Sequence, residues 1–420
     1  MDKKIAIIGS GISGLTCAHL LHQKNRISVF EANNYIGGHT ATKDVEVNGE
    51  THAIDTGFIV FNDWTYPNFI KLMDKIGVKS QATEMSFSVK NLAQNLEYNG
   101  NTLNSLFAQR RNILRPRFWR IVRDILRFNK LCKSDAIKTT DFGELTLFEF
   151  IQQHKLSDDF AFNYILPMCA AIWSTSLEDI KAFPFQFFLK FFNNHGLLNI
   201  TDRPQWYSII GGSRSYIAPL TKGYEGQIHL NSPVQSVRAS ESGFVVTVNQ
   251  AEQHFDEVIF ACHSDQALAL LAQPSALQQE ILGSIRYATN DVVLHTDTSV
   301  LPKRKLAWAS WNYSLTGASG EISAPAVLSY NMNILQRLQS STTFCVTLNN
   351  SNGIDKSKIL GQYVYSHPQF DQKAISAQAR RKAISGQHGL HFCGAYWYNG
   401  FHEDGVRSAL DVCADFGESL

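Results

Sequence analysis

The sequence predicts an α/β protein in which a Rossmann-like, dinucleotide-binding domain is interrupted by a discontinuous α+β domain. A glycine-rich turn joins an apolar strand to a helix at the N-terminus, and strand and turn patterns return near residues 205 and 386. We expect the dinucleotide-binding domain to comprise residues 1–79, 205–270 and 386–420, and the second, substrate-binding domain to comprise residues 80–204 and 271–385. The chain has 420 residues, 44% of them hydrophobic, which is enough for two large cores.

The N-terminal turn is the feature around which the first domain is predicted. The run Ile5–Ile8 has no charge, as in a central parallel strand that is covered on both faces. In the GxGxxG turn that follows, Gly9 permits the tight turn, Gly11 lets the backbone approach a pyrophosphate, and Gly14 lets the helix lie close to the sheet. Free N–H groups and the dipole at the start of this helix favour a phosphate. The turn residues predicted to contact the dinucleotide are Gly9, Ser10, Gly11, Ile12, Ser13 and Gly14.

A second strand ends in an acidic residue at the spacing expected of a dinucleotide site. Ile27–Phe30 is predicted to be this strand, and Glu31 follows it, about 20 residues after Gly11. A carboxylate at this place can accept hydrogen bonds from both ribose hydroxyls. A GxGxxG turn alone is weak evidence, because ordinary glycine-rich turns share the pattern. The strand, turn, helix and acid together predict dinucleotide binding.

The residues after Glu31 resemble the flavin-containing amine oxidase superfamily, which also includes protoporphyrinogen oxidases and carotenoid desaturases. Paired glycines in the stretch 32–40 and an Asp-x-Gly pattern in the stretch 54–58 carry this resemblance. It implies the fold of that superfamily and an FAD cofactor, with the paired glycines near the pyrophosphate and the Asp-x-Gly strand under the flavin ring. The residues that it assigns to FAD here are Ala32, Gly37, Gly38, His39, Thr40, Gly57, Phe58 and Ile59.

One position departs from the pattern of the superfamily. Its members usually carry arginine after the paired glycines, where this chain has His39. A neutral imidazole donates one hydrogen bond to a phosphate, whereas a guanidinium makes a charged, bidentate contact. The resemblance therefore implies a pyrophosphate contact at His39 that differs in kind from that of an arginine.

Later stretches resemble the remaining FAD contacts of the superfamily. The backbone at Val234 is expected against the adenine, and Gly394, at the end of a strand, near the pyrophosphate and ribityl chain. The helix that opens at Asp404, Gly405 and Val406 is expected to direct its free N–H groups towards N1 and O2 of the flavin. Reduced flavin is negatively charged at these atoms, and a helix N-terminus stabilises that charge.

Two residues are candidates for catalysis. His402 stands three residues before the glycine at the flavin edge, where amine oxidases commonly place an aromatic ring. Lys303 lies roughly in the region where relatives place a lysine near flavin N5, although its two basic neighbours favour a solvated turn. The rings of Tyr396 or Trp397 could complete an amine-binding cage that His402 leaves incomplete.

Within the superfamily the chain resembles a bacterial subgroup of FAD-dependent oxidoreductases associated with cyclopropane-fatty-acyl-phospholipid synthases. The stretches 54–62, 308–313 and 401–405 carry this resemblance. It implies dehydrogenation of a methyl-branched or cyclopropane acyl chain of a membrane phospholipid, with hydride transfer to flavin N5. Amine oxidation is the alternative activity, and a non-catalytic flavoprotein partner of a lipid-modifying enzyme is a third hypothesis. The sequence does not identify the electron acceptor.

The segment Gln109–Lys133 is strongly basic, although the net charge of the whole chain is only +1. It contains nine basic residues and one acid, Asp124, for a net charge of +8. As a helix it could lie on an anionic bilayer surface, or it could be a packed helix whose arginines reach solvent. Nucleic-acid binding is not predicted, because no recognised motif accompanies the charge. The residues predicted for the apolar, membrane-facing side are Phe118, Trp119, Val122, Ile125, Leu126 and Asn129.

A phenylalanine-rich stretch, residues 183–192, has two interpretations. It can fill a core, or it can line an apolar channel for a substrate, and core packing is the more common use of such residues. The stretch carries few charges, so a polar substrate would find little to bind there.

The cysteines and the termini predict the compartment. The seven cysteines are scattered without a CxxC pair or a metal-ligand spacing, so we expect reduced thiols and no metal site. Neither a signal peptide nor a transmembrane run of about 18 apolar residues is expected. The sequence therefore predicts a cytoplasmic protein, soluble or peripheral on the inner membrane.

Overall fold

The strands of the computed structural model, which describes residues 2–134, 137, 140–315 and 327–420, form five sheets within these residues. Numbered along the chain, the strands are β1 Lys4–Ile8, β2 Arg26–Phe30, β3 Thr42–Val47, β4 Glu50–Asp55, β5 Val60–Asn62, β6 Ser80–Thr83, β7 Phe87–Asn91, β8 Leu96–Asn99, β9 Trp206–Ile209, β10 Ile228–His229, β11 Val234–Ser240, β12 Gly243–Val248, β13 Ala251–Phe255, β14 Glu257–Phe260, β15 Arg286–His295, β16 Trp311–Leu315, β17 Val327–Asn331, β18 Cys345–Leu348, β19 Ile359–Gln369 and β20 Leu390–Phe392.

The helices cluster in the middle of the chain and at its two ends. They are α1 Ile12–Leu21, α2 Pro67–Lys75, α3 Leu103–Leu106, α4 Pro116–Cys132, α5 Leu147–Gln153, α6 Asp158–Phe160, α7 Leu166–Trp173, α8 Leu177–Lys181, α9 Phe185–Asn194, α10 Ile217–Thr221, α11 Ser264–Leu270, α12 Ala276–Gly283, α13 Met332–Leu335, α14 Gln372–Ala379 and α15 His402–Asp415. A π-helical turn, Ala161–Ile165, joins α6 to α7.

A five-stranded parallel sheet in the order β10-β2-β1-β14-β20 places β1 at its centre. Ile5 and Ile7 pack into a core with α1 and α15, while Ala6 and Ile8 pack into a second core with β12 and β20. Both faces of β1 are therefore covered, as the uncharged run predicts. The carboxyl ends of the parallel strands meet at one edge, which is where ligands bind in open α/β sheets.

A seven-stranded sheet in the order β19-β15-β18-β17-β16-β7-β8 contains strands from two separate parts of the chain. β7 pairs in parallel with β16, in a register that sets Phe87 opposite Trp311. Residues after 80 and residues after 271 therefore share one sheet, although β6 pairs with β9 in a smaller sheet. The domain boundaries themselves stay a prediction.

The basic segment forms α4, but its buried face differs from the predicted one. Phe118, Ile121 and Phe128 are 2%, 2% and 0% exposed, whereas Leu126 is 49% exposed. Phe118 and Asn129 lie on the buried face as predicted, whereas Trp119 and Leu126 are exposed. The prediction also passed over Asp124, which is buried and accepts a hydrogen bond of 3.1 Å from the backbone N–H of Ser157. A buried carboxylate with such a partner can stand on an apolar face.

The phenylalanine-rich stretch is mostly core. Helix α9 buries Phe185, Phe188, Phe191 and Phe192 in a large cluster with α4, α5 and α7. Phe187 is half-buried and stacks on Phe370 with ring centroids 5.5 Å apart. Most of this stretch therefore stabilises the core of the helical region. Only a small part of it lies near the site described below.

Two further properties concern the chain as a whole. No helix within the described residues has the length and hydropathy needed to cross a membrane. The seven cysteines are free, and the Sγ atoms of Cys17 and Cys393 lie 3.9 Å apart in the core beneath β1.

We expect Phe188→Ala to lower the free energy of unfolding by about 3–5 kcal/mol, because it leaves a cavity in the aromatic core. The Phe188 ring is 0% exposed and lies 4.1 Å from that of Phe192 between centroids. Urea denaturation of the FAD-loaded protein, followed by circular dichroism, measures the change. Lys190→Ala, an exposed position on the same helix, is the control and should change stability little. Equal stability of both variants would contradict the assignment of Phe188 to the core.

Candidate active site

The first glycine turn has the geometry of a dinucleotide site. Gly9 has φ 108°, and a Cβ there would lie 2.8 Å from the carbonyl oxygen of Ala261. A Cβ at Gly14 would lie 2.0 Å from the carbonyl oxygen of Gly9. Helix α1 can therefore lie this close to the end of β1 only because residue 14 has no side chain. At Gly11, the N-cap of α1, no atom lies within 4 Å of the Cβ position, so this side of the turn is open to a ligand.

Glu31 lies buried at the end of β2, but its oxygens already have partners. Oε2 accepts hydrogen bonds from the backbone N–H and the hydroxyl of Ser10, at 3.0 and 2.6 Å. Oε1 accepts two from the backbone and side-chain nitrogens of Asn33, both at 2.9 Å. These donors fill the acceptor sites of the carboxylate. A ribose hydroxyl would therefore share this carboxylate with Ser10 and Asn33 or displace one of them.

The paired glycines lie directly on the first turn. The N–H of Gly37 donates to the carbonyl oxygen of Ser10 at 3.1 Å, and a Cβ at Gly38 would lie 3.3 Å from the Cα of Gly11. Both residues have positive φ, 121° and 58°. This close approach brings the two glycine motifs to the same place, as the predicted pyrophosphate contact requires.

The Asp-x-Gly strand packs against the residue after the paired glycines. The N–H of Phe58 donates to the carbonyl oxygen of His39 at 2.8 Å. A Cβ at Gly57 would lie 2.1 Å from the same oxygen, so a side chain at Gly57 would separate the two segments. Phe58 is therefore held near His39 by the backbone.

The N-terminal turn of α15 meets the N-terminal turn of α1. The hydroxyl of Ser13 donates to the carbonyl oxygen of Gly405 at 3.0 Å, and a Cβ at Gly405 would lie 2.7 Å from Cγ2 of Ile12. The N–H of Gly394 donates to the hydroxyl of Ser408, on the same helix, at 2.9 Å. Two helix N-termini therefore face the region beside the glycine turns, and both favour negative charge.

His402, the first residue of α15, is enclosed by aromatic and hydroxyl side chains. Its ring stacks on that of Phe58, with centroids 3.6 Å apart and planes inclined by 9°. Its Nε2 lies 3.2 Å from the hydroxyl of Thr40 and 3.3 Å from that of Tyr216. Burial lowers the pKa of His402 to about 3, so the imidazole is neutral near pH 7 and cannot serve there as a proton donor in cationic form.

Two buried carboxyl groups belong to the same motifs, Asp404 in the first turn of α15 and Asp55 at the end of β4. Burial raises the pKa of Asp404 to about 7, although its Oδ2 accepts a hydrogen bond of 2.9 Å from the N–H of Phe401. Burial also raises the pKa of Asp55 to about 6, and that carboxyl group accepts hydrogen bonds from the backbone and hydroxyl of Ser213. Both groups can change protonation near neutral pH.

The other predicted cofactor residues lie at the margins of this arrangement. Ala32 is exposed, and Val234 is half-buried at the start of β11. Ile59 is buried in the core beneath the seven-stranded sheet, whereas Val406 is buried beside Ile12. The contacts predicted between these residues and FAD stay predictions.

Lys303 stands apart from the His402 cluster. Its side chain is exposed, and its backbone N–H donates to Oε1 of Glu97 at 2.9 Å. The neighbouring Arg304 pairs with the same carboxylate at 3.0 Å. This placement is that of the solvated turn, and among the described residues no hydrogen bond or ion pair joins Lys303 to the glycine turns or to His402. Its catalytic role is an untested prediction without geometric support.

Several residues of the site were not predicted. Glu403 accepts hydrogen bonds from the backbone and amide of Asn68 and from the N–H of Phe69, which ties α15 to the start of α2. Tyr216 contacts His402 from a distant part of the chain. A local signal existed for His263, because it follows the parallel strand β14 at the edge where ligands bind.

These residues fit FAD. The turn is open at Gly11, two helix N-termini face the site, and Nε2 of His39 is buried without a hydrogen-bond partner, as expected of a group that awaits a ligand. FAD, when bound, supplies a two-electron acceptor at flavin N5. The chain supplies the turns that hold the phosphates and an aromatic, neutral environment around His402.

Replacing two glycines should separate cofactor binding from folding. We expect Gly11→Val to abolish FAD binding while changing the thermal stability of the FAD-free protein little, because its Cβ meets no atom. We expect Gly405→Ala to destabilise the protein by about 1–3 kcal/mol even without FAD, because its Cβ overlaps Ile12. Flavin absorbance and thermal unfolding measure the two effects. Normal flavin content in Gly11→Val would refute the assignment of the turn.

The buried Asp404 should make stability fall as pH rises. Its folded-state pKa, about 7, exceeds its ordinary value of 3.8, so the folded protein binds the proton more tightly than the unfolded chain. The stabilising effect of that proton is present below pH 4 and is lost between about pH 4 and 7. We therefore expect Asp404→Asn to stabilise the protein by up to about 4 kcal/mol at pH 8 and little at pH 4. Urea denaturation at both pH values tests this, and a pH-independent effect would contradict it.

Comparison with known proteins agrees with this geometry. The chain matches the model of the flavin containing amine oxidoreductase family over residues 12–346. No curated protein sequence matches it significantly. A structure described as a protoporphyrinogen oxidase from Exiguobacterium sp. 255-15 superimposes with a TM-score of 0.69 at 16% identity, covering 99% of this chain and 98% of that one.

Two other solved structures share the fold. A fatty acid isomerase from P. acnes superimposes with a TM-score of 0.68 at 13% identity, covering 99% of each chain. Cyclohexylamine oxidase from Brevibacterium oxydans IH-35A superimposes with a TM-score of 0.66 at 13% identity, covering 99% of this chain and 98% of that one. The predicted fold class, that of amine and protoporphyrinogen oxidases, is confirmed. Because the family model covers most of its length, the chain belongs to the flavin containing amine oxidoreductase family and is an FAD-dependent oxidoreductase.

Proposed function

We propose that the protein dehydrogenates an apolar chain, such as a methyl-branched or cyclopropane fatty acyl chain of a membrane phospholipid. Two hydrogens would leave neighbouring carbons, one as a hydride to flavin N5 and one as a proton to solvent. The electrons would then pass to an acceptor that remains to be identified. The structure of a fatty acid isomerase has the same fold, which supports the proposal of an acyl substrate.

The aromatic and neutral surroundings of His402 are the observation that carries this proposal. Phe58 stacks on the ring, and Phe69 meets it edge to face with centroids 6.1 Å apart. The preceding residue, Phe401, stacks on Phe191 at 5.3 Å, so the aromatic core of the helical region reaches the site. The polar groups that contact His402, the hydroxyls of Thr40 and Tyr216, are uncharged. Aromatic rings with neutral polar groups suit an acyl chain better than a charged substrate.

Amine oxidation is the second candidate, because cyclohexylamine oxidase and putrescine oxidase share the fold. An amine-binding cage would need the rings of Tyr396 or Trp397 to compensate for His402. Both rings are buried, 3% and 2% exposed, in the core that contains Phe260 and Phe392. This placement favours the acyl proposal over the amine alternative.

Anaerobic flavin reduction distinguishes the candidates. The FAD-loaded protein should lose flavin absorbance with phospholipids that bear branched or cyclopropane chains, and mass spectrometry should find those chains lighter by two hydrogens. Cyclohexylamine and putrescine are the parallel substrates, and bleaching by them alone would replace the acyl proposal with amine oxidation. Bleaching by none of these compounds would favour the third hypothesis, a non-catalytic flavoprotein partner of a lipid-modifying enzyme.

We further propose that the protein reaches its lipid through the basic segment. Ile113, Leu114 and Trp119 are 48%, 86% and 47% exposed, and the indole N–H of Trp119 donates to the carbonyl oxygen of Ile113. These three side chains form an exposed apolar patch at the start of α4. Phe118 and Ile125, which the sequence assigned to the membrane face, are buried or half-buried and cannot insert.

The positive charges of the arginines beside this patch are available to an anionic surface. Arg110, Arg111 and Arg115 are bonded to carbonyl or amide oxygens, and no ion pair joins them to an acid among the described residues. Arg117, in contrast, pairs with Asp159 at 2.5 Å. Unpaired cations around exposed apolar side chains are typical of a surface that lies on anionic lipid.

Vesicle binding tests this surface. We expect the triple variant Arg110→Gln, Arg111→Gln, Arg115→Gln to bind anionic vesicles about 100-fold more weakly at low salt, since each cation contributes about 1 kcal/mol. High salt should weaken the wild type similarly, because it screens the attraction. The matched control is Lys222→Gln, Lys356→Gln, Lys382→Gln, which removes the same charge from exposed positions elsewhere. Equal binding of both triple variants would refute the proposed surface without affecting the flavin chemistry.

A further inference from the structure

Three histidines, His39, His263 and His367, lie together beside the glycine turns. The ring centroid of His39 is 5.5 Å from that of His367 and 6.1 Å from that of His263. We propose that these imidazoles form the side-chain part of the FAD pyrophosphate site, and that His39 takes up a proton from solvent when FAD binds. The family match establishes FAD as the cofactor, but it does not assign these residues or the proton.

The positions of the histidines place them at the phosphates. His39 follows Gly38, which lies against Gly11 of the first turn. His263 follows Cys262, whose nitrogen would be 3.3 Å from a Cβ at Gly9. The backbone next to two of the three histidines therefore contacts the dinucleotide turn from different segments, at the edge of the sheet where a pyrophosphate is held. His367 joins them from β19.

His367 is fixed as a neutral imidazole. Its Nδ1 lies 3.0 Å from the side-chain nitrogen of Asn290, which also donates to the carbonyl oxygen of Ala288. The amide oxygen of Asn290 accepts a hydrogen bond from Asn349, so the orientation of the amide is determined. Nδ1 of His367 must therefore accept, which leaves its proton on Nε2. This N–H is a neutral donor for the site.

His39, unlike His367, has a buried ring nitrogen, Nε2, without any hydrogen-bond partner. Burial, together with the nearby His367, His263 and His402, holds the pKa of His39 well below its usual range, while the backbone of Ser366 opposes this effect. Since Nε2 has no partner, the ring nitrogen that donates to the backbone of Ser366 is Nδ1, which therefore keeps the one proton of the neutral ring. An unpartnered buried nitrogen is unfavourable, and a second proton, on Nε2, would turn the ring into a charged donor. A phosphate oxygen next to it would accept that hydrogen bond.

The charges around the cluster explain why the proton would arrive with FAD. The groups facing these rings are other histidines, Tyr365 at 5.4 Å from His39, Tyr287 stacked on His263, and Asp265. Burial lowers the pKa of His263, and the charge of Asp265 offsets this only in part. Within the described part of the chain, no hydrogen bond or ion pair joins the three imidazoles to a lysine or arginine. The negative charges of the pyrophosphate would therefore be the strongest influence on His39, and they favour its protonated form.

Linkage gives a measurable consequence. If the pKa of His39 is higher with FAD than without it, FAD affinity must depend on pH between the two values. In that range the Kd of FAD rises about tenfold for each unit of pH increase, and it levels off above the pKa of the bound state. An arginine at this position would bind the same phosphate without this dependence, because it stays charged.

Stepwise dilution of the FAD-loaded protein, with free FAD measured by its fluorescence, gives the Kd at each pH from 6 to 9. We expect the Kd of the wild type to rise with pH, by up to about tenfold per unit, until it levels off at the pKa of the bound state, and His39→Arg to bind FAD with little pH dependence and more tightly than the wild type at pH 9. His39→Gln should bind more weakly at pH 6 and also lack the slope. The control is His254→Gln, an exposed position on β13, which should keep the wild-type slope.

The outcome also separates His39 from the other groups that titrate near neutral pH. A wild-type Kd that does not change between pH 6 and 9 would overturn the proposal. So would an unchanged slope in His39→Arg, since the proton would then belong to another group such as Asp404, whose pKa is about 7. Asp404→Asn should keep the slope if His39 carries the proton, and its loss there would assign the proton to Asp404.

Discussion

The contact between the first turns of α1 and α15 is the constraint on which the site depends. The hydroxyl of Ser13 reaches the carbonyl oxygen of Gly405 across 392 positions of sequence, and Gly405 has no room for a Cβ beside Ile12. Because the two helices begin at the same place, the free N–H groups of both face one region. The ends of the chain are thereby joined at the place where the glycine turns hold the cofactor.

The parts of this arrangement that could be predicted are those encoded within a few residues. The buried strand β1, the turn at Gly9 and the start of α15 each follow from a local pattern of apolar residues and glycines. The hydrogen bonds that join these parts have partners far away, such as Ser213 for Asp55 and Asn68 for Glu403. A serine or an asparagine has no local property that marks it as such a partner, so these contacts required the structure.

The amphipathic helix α4 and the phenylalanine-rich stretch show a second limit of prediction from sequence, which is that hydropathy alone does not identify what a side chain packs against. On α4 the buried face includes Asp124, which hydropathy alone assigns to solvent, and its partner Ser157 lies in another segment. In α9, core packing and a substrate wall both require apolar rings, so composition cannot separate them. Burial does separate them: Phe188 is enclosed, whereas Phe191 connects the core to Phe401 at the edge of the site.

Three ionisable groups share one property, which is that burial favours their uncharged forms. The imidazole of His402 is neutral, and the carboxyl groups of Asp404 and Asp55 hold their protons to unusually high pH. Such a site offers little fixed charge to a substrate, which is the condition an apolar chain prefers. The phosphates of FAD are then the main charges brought into the region, and the buried nitrogen of His39 gains its partner only with them. Cofactor binding and the protonation state of the site are therefore expected to be coupled, and FAD should stabilise the folded protein by an amount that grows with the ratio of free FAD to its Kd.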